Sequence, residues 1–239
     1  HANEGVPSDV KFTSAATNDS FMLKPANFND GDVLAMDRAY IDYAKLEELT
    51  RRGVIYVTKM KKSLSYVLWE DFMWQNPDGL MEYRIRHVTF HKTVKDGVHI
   101  CHHARIISYV DEKKHKVIDL LTNDMDSTPE EIVAVYRQRW EIELLFKQIK
   151  QNFPLRYFFG ESRNAIKIQI WITLIANLLL MVIQRRLKRQ WSFSGLATIV
   201  RLTLMYYVDL YSLLNQPEKD WQILLEEASG APPEPSLFD

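Results

Sequence analysis

Tyr136-Arg137-Gln138-Arg139-Trp140-Glu141-Ile142-Glu143, running on through Phe146-Lys147 to Lys150, reads as one helix with a polar rail. At about 100° per residue, Tyr136, Arg139, Glu143, Lys147 and Lys150 project within roughly 40° of one direction. Ile142, Leu145, Phe146 and Ile149 point the other way, so the sequence predicts a rail held in place by a buried back. A carboxylate flanked by cations suits a metal ion lying beside phosphates, because the acid binds the metal and the cations bind the anionic backbone. The same spacing also suits a solvated face laced by i,i+4 ion pairs, such as Glu143 with Lys147.

Outward from the rail, Thr128-Pro129-Glu130-Glu131 supplies an N-cap, a proline at the first helical position and a capping-box glutamate, and Pro154 closes the far end. Upstream, the short apolar run 33–36 enters Asp37, which predicts a fully buried strand with an acid at its C-terminal tip. Residues 41–52 read as a helix stopped by Gly53, and residues 54–58 as the next strand, a strand–helix–strand crossover in a parallel sheet. The segments 64–69, 81–90, 98–109 and 117–122 are β-rich and separated by turns at 76–79, 96–97 and 111–115, which makes an antiparallel meander. Before Asp37, a turn at Asn3-Glu4-Gly5 and an extended 10–13 precede a polar stretch with a helical piece that stops before Pro25. Beyond Pro154, Ser162 caps a helix running to about residue 189, and Ser192 begins another that ends before Asn215-Gln216-Pro217. Gly230-Ala231-Pro232-Pro233-Glu234-Pro235 reads as a loose tail.

The spacing Tyr136-x2-Arg139-x3-Glu143-x6-Lys150 resembles the Y-R-E-K motif of DDE transposases of the insertion-sequence-four family, and residues 155–162 and 168–180 are similar to the same family. Leu34-Ala35-Met36-Asp37-Arg38-Ala39-Tyr40 resembles its strand carrying the second catalytic aspartate. The resemblance implies an α/β fold: an RNase H-like core, N-terminally truncated, with an inserted antiparallel β-meander and a helical C-terminal region. It divides the chain into a partial core with the second aspartate (1–62), the β insertion (63–126), the helical part with the glutamate (127–215) and a tail (216–239). Asp37 and Glu143 are then the catalytic and metal-binding acids, and Tyr136, Arg139, Lys147 and Lys150 the DNA contacts. Two Mg²⁺ or Mn²⁺ ions about 3.5 to 4 Å apart would be expected in the complete enzyme. The family's first aspartate precedes two further strands and a helix. Asp9 and Asp19 stand only 28 and 18 residues before Asp37, too few at about 3.3 Å per strand residue. The resemblance therefore implies a chain lacking that strand, and a fragment that is inactive alone.

The net charge of −1 conceals an asymmetry: residues 136–201 carry twelve Lys and Arg against three acids, and residues 217–239 carry six acids against one lysine. A basic half suits a polyanion. Cys101 is the only cysteine, so no intrachain disulfide can form and a reducing cytoplasm is the expected compartment. Residues 168–183 are the most apolar segment but are interrupted by Gln169, Thr173 and Asn177, which predicts a buried core helix and no membrane span.

Four side-chain groups stay open to two readings. His99, Cys101, His102 and His103 offer zinc ligands, but alternation along a strand sends neighbours to opposite faces and no second pair stands at finger spacing. Trp69 and Trp74 suit either core packing or stacking on an extruded base. Lys59, Lys61 and Lys62 suit a solvated turn or a DNA contact, and Arg185-Arg186-x-Lys188-Arg189 suits a helix C-terminus or the DNA flank. The resemblance implies a bacterial, nucleoid-associated protein that cuts and transfers DNA strands as a homodimer on terminal inverted repeats and target DNA. The alternative is a non-catalytic DNA-binding or assembly remnant. A membrane or helical-scaffold protein built on residues 168–183 is the third reading, and it conflicts with the polar rail.

Overall fold

A computed structural model describes residues 6–7, 9–13, 19–93, 97–111, 115–155, 157–206 and 209–219. The expected turn at Asn3-Glu4-Gly5 and the tail at 230–235 lie outside the described residues, as do parts of the turns at 96–97 and 111–115. The chain divides into two compact units, His1–Glu143 and Leu144–Asp239.

The first unit is built on six strands: β1 (Val33–Met36), β2 (Ile55–Lys59), β3 (Val67–Gln75), β4 (Glu82–Thr93), β5 (His99–Asp111) and β6 (Lys116–Thr122). They form one mixed sheet in the order β1-β2-β6-β5-β4-β3. β1 and β2 are parallel, with Ala35 opposite Val57, and β6 returns antiparallel to β2, with Val57 opposite Thr122. The stretch read as an insertion is therefore hydrogen-bonded into the same sheet as β1. Val10–Thr13 forms no strand.

α1 (Tyr43–Arg51) joins β1 to β2. Asp42 caps it by accepting from the amides of Ala44 and Lys45. Gly53 ends it at φ +70°, a left-handed conformation that favours glycine, and a Cβ there would also have to displace the Asp30 carboxylate, 1.8 Å away. Leu46 and Leu49 of α1 pack on one sheet face against Tyr56, Phe90, Ala104 and Ile106. Each large side chain fully buried there contributes roughly 1.5–3 kcal/mol relative to exposure. A polar chain crosses the same layer: the Tyr56 hydroxyl lies 2.6 Å from His102 Nε2, and His102 Nδ1 lies 2.9 Å from Glu47 Oε2. The distance to Glu47 is that of an ion pair, yet burial pushes the His102 pKa down despite the carboxylate. We assign the neutral ring, with Nδ1–H donating to Glu47 and Nε2 accepting from Tyr56, because this satisfies both partners without a buried charge.

The opposite face carries α2 (Pro129–Gln138). Ile132 and Val133 meet Val57, Ile107, Tyr109 and Leu120 there, with Tyr136 packed alongside. Its start has the expected capping box between Thr128 and Glu131 with Pro129 in the first turn. The loop before it is wired to the sheet. The Asn123 side chain accepts from the Tyr56 amide and donates to the Val54 carbonyl, and Arg105 donates to the carbonyls of Met125 and Ser127.

Two expectations about burial do not hold. Among the described residues β1 is the edge strand of the sheet with no strand flanking its outer side, and along it only Met36 is buried while Val33 is 49% exposed. α4 (Arg163–Arg186), expected as a buried core helix, buries only Thr173, Asn177 and Leu180. By length and composition it is apolar enough to cross a membrane, a test that core helices of soluble proteins also pass.

The second unit holds most of α3 (Glu141–Asn152), with α4, α5 (Phe193–Thr203) and α6 (Leu210–Asn215). Ser162 and Ser192 cap α4 and α5 as the sequence predicts. α4 ends at Arg186 instead of about 189, since Leu187 is extended. The last predicted helix is two: α5 stops at Thr203, and Asp209 caps α6 anew by accepting from Tyr211 and Ser212. Leu180, Leu196, Ala197 and Leu214 form this unit's core.

Candidate active site

The polar rail does not run on one helix. α2 ends at Gln138, Arg139 and Trp140 form a turn, and α3 begins at Glu141. The break falls inside the motif, so Tyr136 belongs to α2 and Glu143 to the first turn of α3. Lys147 and Lys150 follow Glu143 at i+4 and i+7 along α3, and both are exposed. The buried back is also smaller than predicted. Ile149 is buried, but Ile142 and Phe146 are 52% and 54% exposed. Apolar spacing alone did not reveal the joint, because neither Gly nor Pro marks it.

Across the joint, Arg139 Nη1 donates to Glu143 Oε1 at 2.5 Å, and the guanidinium lies over the Tyr136 ring at 5.5 Å. The i,i+4 pair is thus Arg139 with Glu143, not Glu143 with Lys147. Burial works against the Arg139 charge, but the Glu143 carboxylate and Tyr136 outweigh it, and the pKa is raised. Glu143 Oε2 is buried and has no hydrogen-bond partner, and Arg139 Nε is in the same condition. A buried carboxylate oxygen without a donor is costly unless a proton or cation reaches it.

Asp37 follows β1 with extended backbone, φ −72° and ψ 152°. Met36 and Leu34 pack on the α1 face of the sheet, so alternation turns Ala35 and Asp37 toward the face that α2 covers. α2 touches both β1 and β2. Asp37 is exposed, and its Oδ1 accepts from the Ala39 amide at 2.9 Å. One oxygen therefore caps a 3-10 turn at Arg38–Tyr40, and the carboxylate keeps acceptor capacity beyond that bond. Asp37 and Glu143 supply hard oxygen ligands of the kind Mg²⁺ and Mn²⁺ take. The orphaned Glu143 Oε2 fits such an ion. Among the described residues there is no group of three or more His, Cys, Asp or Glu side chains placed to hold a metal.

The same observation covers the histidine run. His102 is buried, whereas His99, Cys101 and His103 are exposed on the other face, as alternation requires. The two tryptophans part company. Trp74 packs edge-on against Tyr83 at 5.7 Å, and Trp69 is 65% exposed with its indole N–H on the Thr89 hydroxyl. Arg189 pairs with Glu218 and lies over the Trp191 ring, so part of the basic cluster serves the second unit's own packing.

Comparison with known proteins agrees with the motif. Residues 1–179 match the family model described as the transposase DDE domain. The chain is 27% identical over 179 residues to a putative transposase of Sinorhizobium fredii, covering 75% of this chain and 50% of that protein. It is 24% identical over 192 residues to a probable transposase for an insertion sequence element of Geobacillus stearothermophilus, covering 79% and 49%. It is 24% identical over 155 residues to a putative insertion-sequence transposase of a Synechocystis, covering 64% and 42%. The chain spans about half the length of these curated relatives. No solved structure matches it.

Proposed function

The chain belongs to the transposase DDE domain family, and on that premise we propose that it takes part in DNA transposition, as the part of a DDE strand transferase that carries the second and third catalytic acids. The orphaned oxygen of Glu143 carries this reading, because it is a buried carboxylate acceptor held by a motif arginine and left for a cation. Asp37 and Glu143 would hold Mg²⁺ or Mn²⁺, two ions in the complete centre. Bound there, the metal would supply Lewis acidity at the scissile phosphate and an activated water or 3′-hydroxyl.

This chain's own residues have narrower tasks. Arg139 fixes the Glu143 carboxylate through Oε1 and leaves Oε2 free. Tyr136, Lys147 and Lys150 contact the phosphodiester backbone: the lysines are point charges, and the phenol can donate to a phosphate oxygen. Trp69, exposed on its strand, is the better placed of the two tryptophans to stack on a base. The wider reading is an RNase H-like core of the insertion-sequence-four type, acting as a homodimer on terminal inverted repeats and target DNA in the bacterial cytoplasm.

The lack of a three-ligand group among the described residues favours a second reading for the isolated chain, which is DNA binding without turnover. Both are tested by titrating Mn²⁺ into the chain and following the ion by electron paramagnetic resonance, beside DNA binding at increasing salt. Weak Mn²⁺ binding that is lost in Glu143→Gln and in Asp37→Asn is expected, with salt-sensitive DNA binding retained. Mn²⁺ binding unchanged in both variants would remove the metal assignment, and salt-insensitive DNA binding would remove the phosphate contacts. DNA cleavage in Mg²⁺ by this chain alone, abolished in Glu143→Gln, would overturn the view that it lacks turnover.

A further inference from the structure

β4 and β5 run on as a two-stranded arm beyond the rest of the sheet. β3 last meets β4 at Val67 opposite Thr89, and β6 last meets β5 at Thr122 opposite Arg105. Past those rows only the two strands of the arm pair, with His91 opposite Cys101 and Thr93 opposite His99. One face of the arm is closed by the buried Phe90, Ile100 and His102. The other presents His91, His99, Cys101 and His103, all exposed. Three of these belong to one run of sequence, and the fourth, His91, is supplied by the neighbouring strand.

The four donors stand in two pairs. His91 Nδ1 lies 3.2 Å from His99 Nε2, and Cys101 Sγ lies 3.9 Å from His103 Nε2. Ligands about 2.0–2.3 Å from a tetrahedral zinc ion stand roughly 3.3–3.6 Å from one another, so each pair approximates one edge of such a site. Hydroxyl groups hold two of the rings from behind. Thr93 Oγ1 lies 3.4 Å from His99 Nδ1, and Thr89 Oγ1 lies 2.8 Å from His103 Nδ1 and accepts from the Trp69 indole. We assign the tautomers in which each Nδ1–H donates to its threonine, which leaves both Nε2 lone pairs turned to the other member of the pair. A hydrogen bond on the far nitrogen is how ligating histidines are oriented.

We propose that His91, His99, Cys101 and His103 form a zinc site that the ion itself completes. As the side chains stand, no three of them are gathered at one point. The backbone nevertheless sets His91 and Cys101 directly opposite each other, with Cβ atoms of such a cross-strand pair about 4.5–5.5 Å apart, so side-chain rotation at the surface merges the two pairs. Without the ion, His91 Nδ1–H donates to His99 and the thiol donates to His103. On binding, the thiol proton leaves to water and the thiolate takes the ion, while His91 keeps its one ring proton and turns its lone-pair nitrogen inward. Three imidazoles and a thiolate are a softer set than the oxygens of Asp37 and Glu143 and select zinc over magnesium. The site is also separate from Asp37. Arg105, Thr122, Val57 and Ala35 share one row across the sheet, and Cys101 and Asp37 lie on opposite sides of that row, about 20 Å apart along the strands. The ion would act as a staple between the strands of the arm.

The test is a titration of the full, reduced chain with Co²⁺, whose spectrum reports both geometry and sulfur ligation. Tetrahedral visible bands and an ultraviolet thiolate-to-cobalt band are expected, saturating at one ion per chain and bleached by Zn²⁺. Cys101→Ser should abolish the ultraviolet band, and His91→Ala and Thr89→Val should each weaken cobalt binding by about tenfold or more. Circular dichroism of the metal-free variants should match the parent. Glu143→Gln should leave the spectrum unchanged, which separates this site from the acids. A six-coordinate spectrum without the thiolate band would overturn the proposal, and so would undiminished binding in His91→Ala. Saturation at one ion per two chains would overturn it as well, by assigning the donors to a junction between copies.

Discussion

The sheet unit and the helical unit spend their apolar residues differently. On the sheet, Phe90 is fully buried and is flanked by Tyr43 at 5.0 Å and Tyr66 at 5.9 Å between ring centroids. On α3, Phe146 is 54% exposed. The first unit closes its core with long-range polar ties as well, including Tyr56–His102–Glu47 and the double use of Asn123. The second closes a smaller core and leaves a full seam of α4 outside it. The lesson is one of roles: the sheet is a platform that fixes the face on which Asp37 stands, and the helices leave apolar surface exposed.

The same truncation in the two units should separate them most strongly. Phe90→Ala is expected to cost roughly 3–5 kcal/mol, the transfer loss plus an unfilled cavity, measured by urea denaturation. A loss below about 1 kcal/mol would mean that the sheet core is loosely packed. A smaller effect is expected from pH. Burial lowers the His102 pKa from its ordinary 6.5, so the folded state holds the ring neutral where the unfolded chain takes up a proton. Its contribution is fully present above about 6.5 and declines as pH falls toward the lower folded value. Stability measured from pH 7.5 to 5 should therefore fall, and His102→Gln should flatten that part of the slope. An unchanged slope would assign the pH dependence to other groups. Smallest of all, Phe146→Ala should change stability by no more than about 0.5 kcal/mol. A cost near that of Phe90→Ala would show that α3 is covered by a surface that leaves it open here.

Much of this was legible in the sequence because local chemistry determines it. The capping box at Thr128, the serine caps at 162 and 192, the Gly53 stop and the four meander strands follow from residue types within a few positions of each other. The Tyr136, Arg139, Glu143 and Lys150 spacing was enough to point to the family that residues 1–179 match. What escaped is what depends on distant neighbours. That β1 lies at an edge depends on which strands flank it, and four apolar residues in a row do not encode this. At the joint the Arg139 and Trp140 amides donate to the carbonyls of Tyr136 and Arg137, three residues back, and no helix-breaking residue marks the place. The exposed face of α4 followed the same logic: its composition is that of a core helix, and only the fold tells which side has a neighbour.

The strand order carries a consequence for how the chain reaches this state. β3, β4, β5 and β6 each pair with the strand next to them in sequence, so the meander can zip locally and early. β2 meets β6 only by closing a loop from Lys59 to its partner Leu120, and loop closure of that length delays the pairing that joins β1 and Asp37 to the meander. The edge of the sheet that carries Asp37 is thus expected to be the last part to gain protection. In pulsed hydrogen exchange during refolding, the amides of β4 and β5 should become protected before those of β1 and β2, and simultaneous protection would contradict this order.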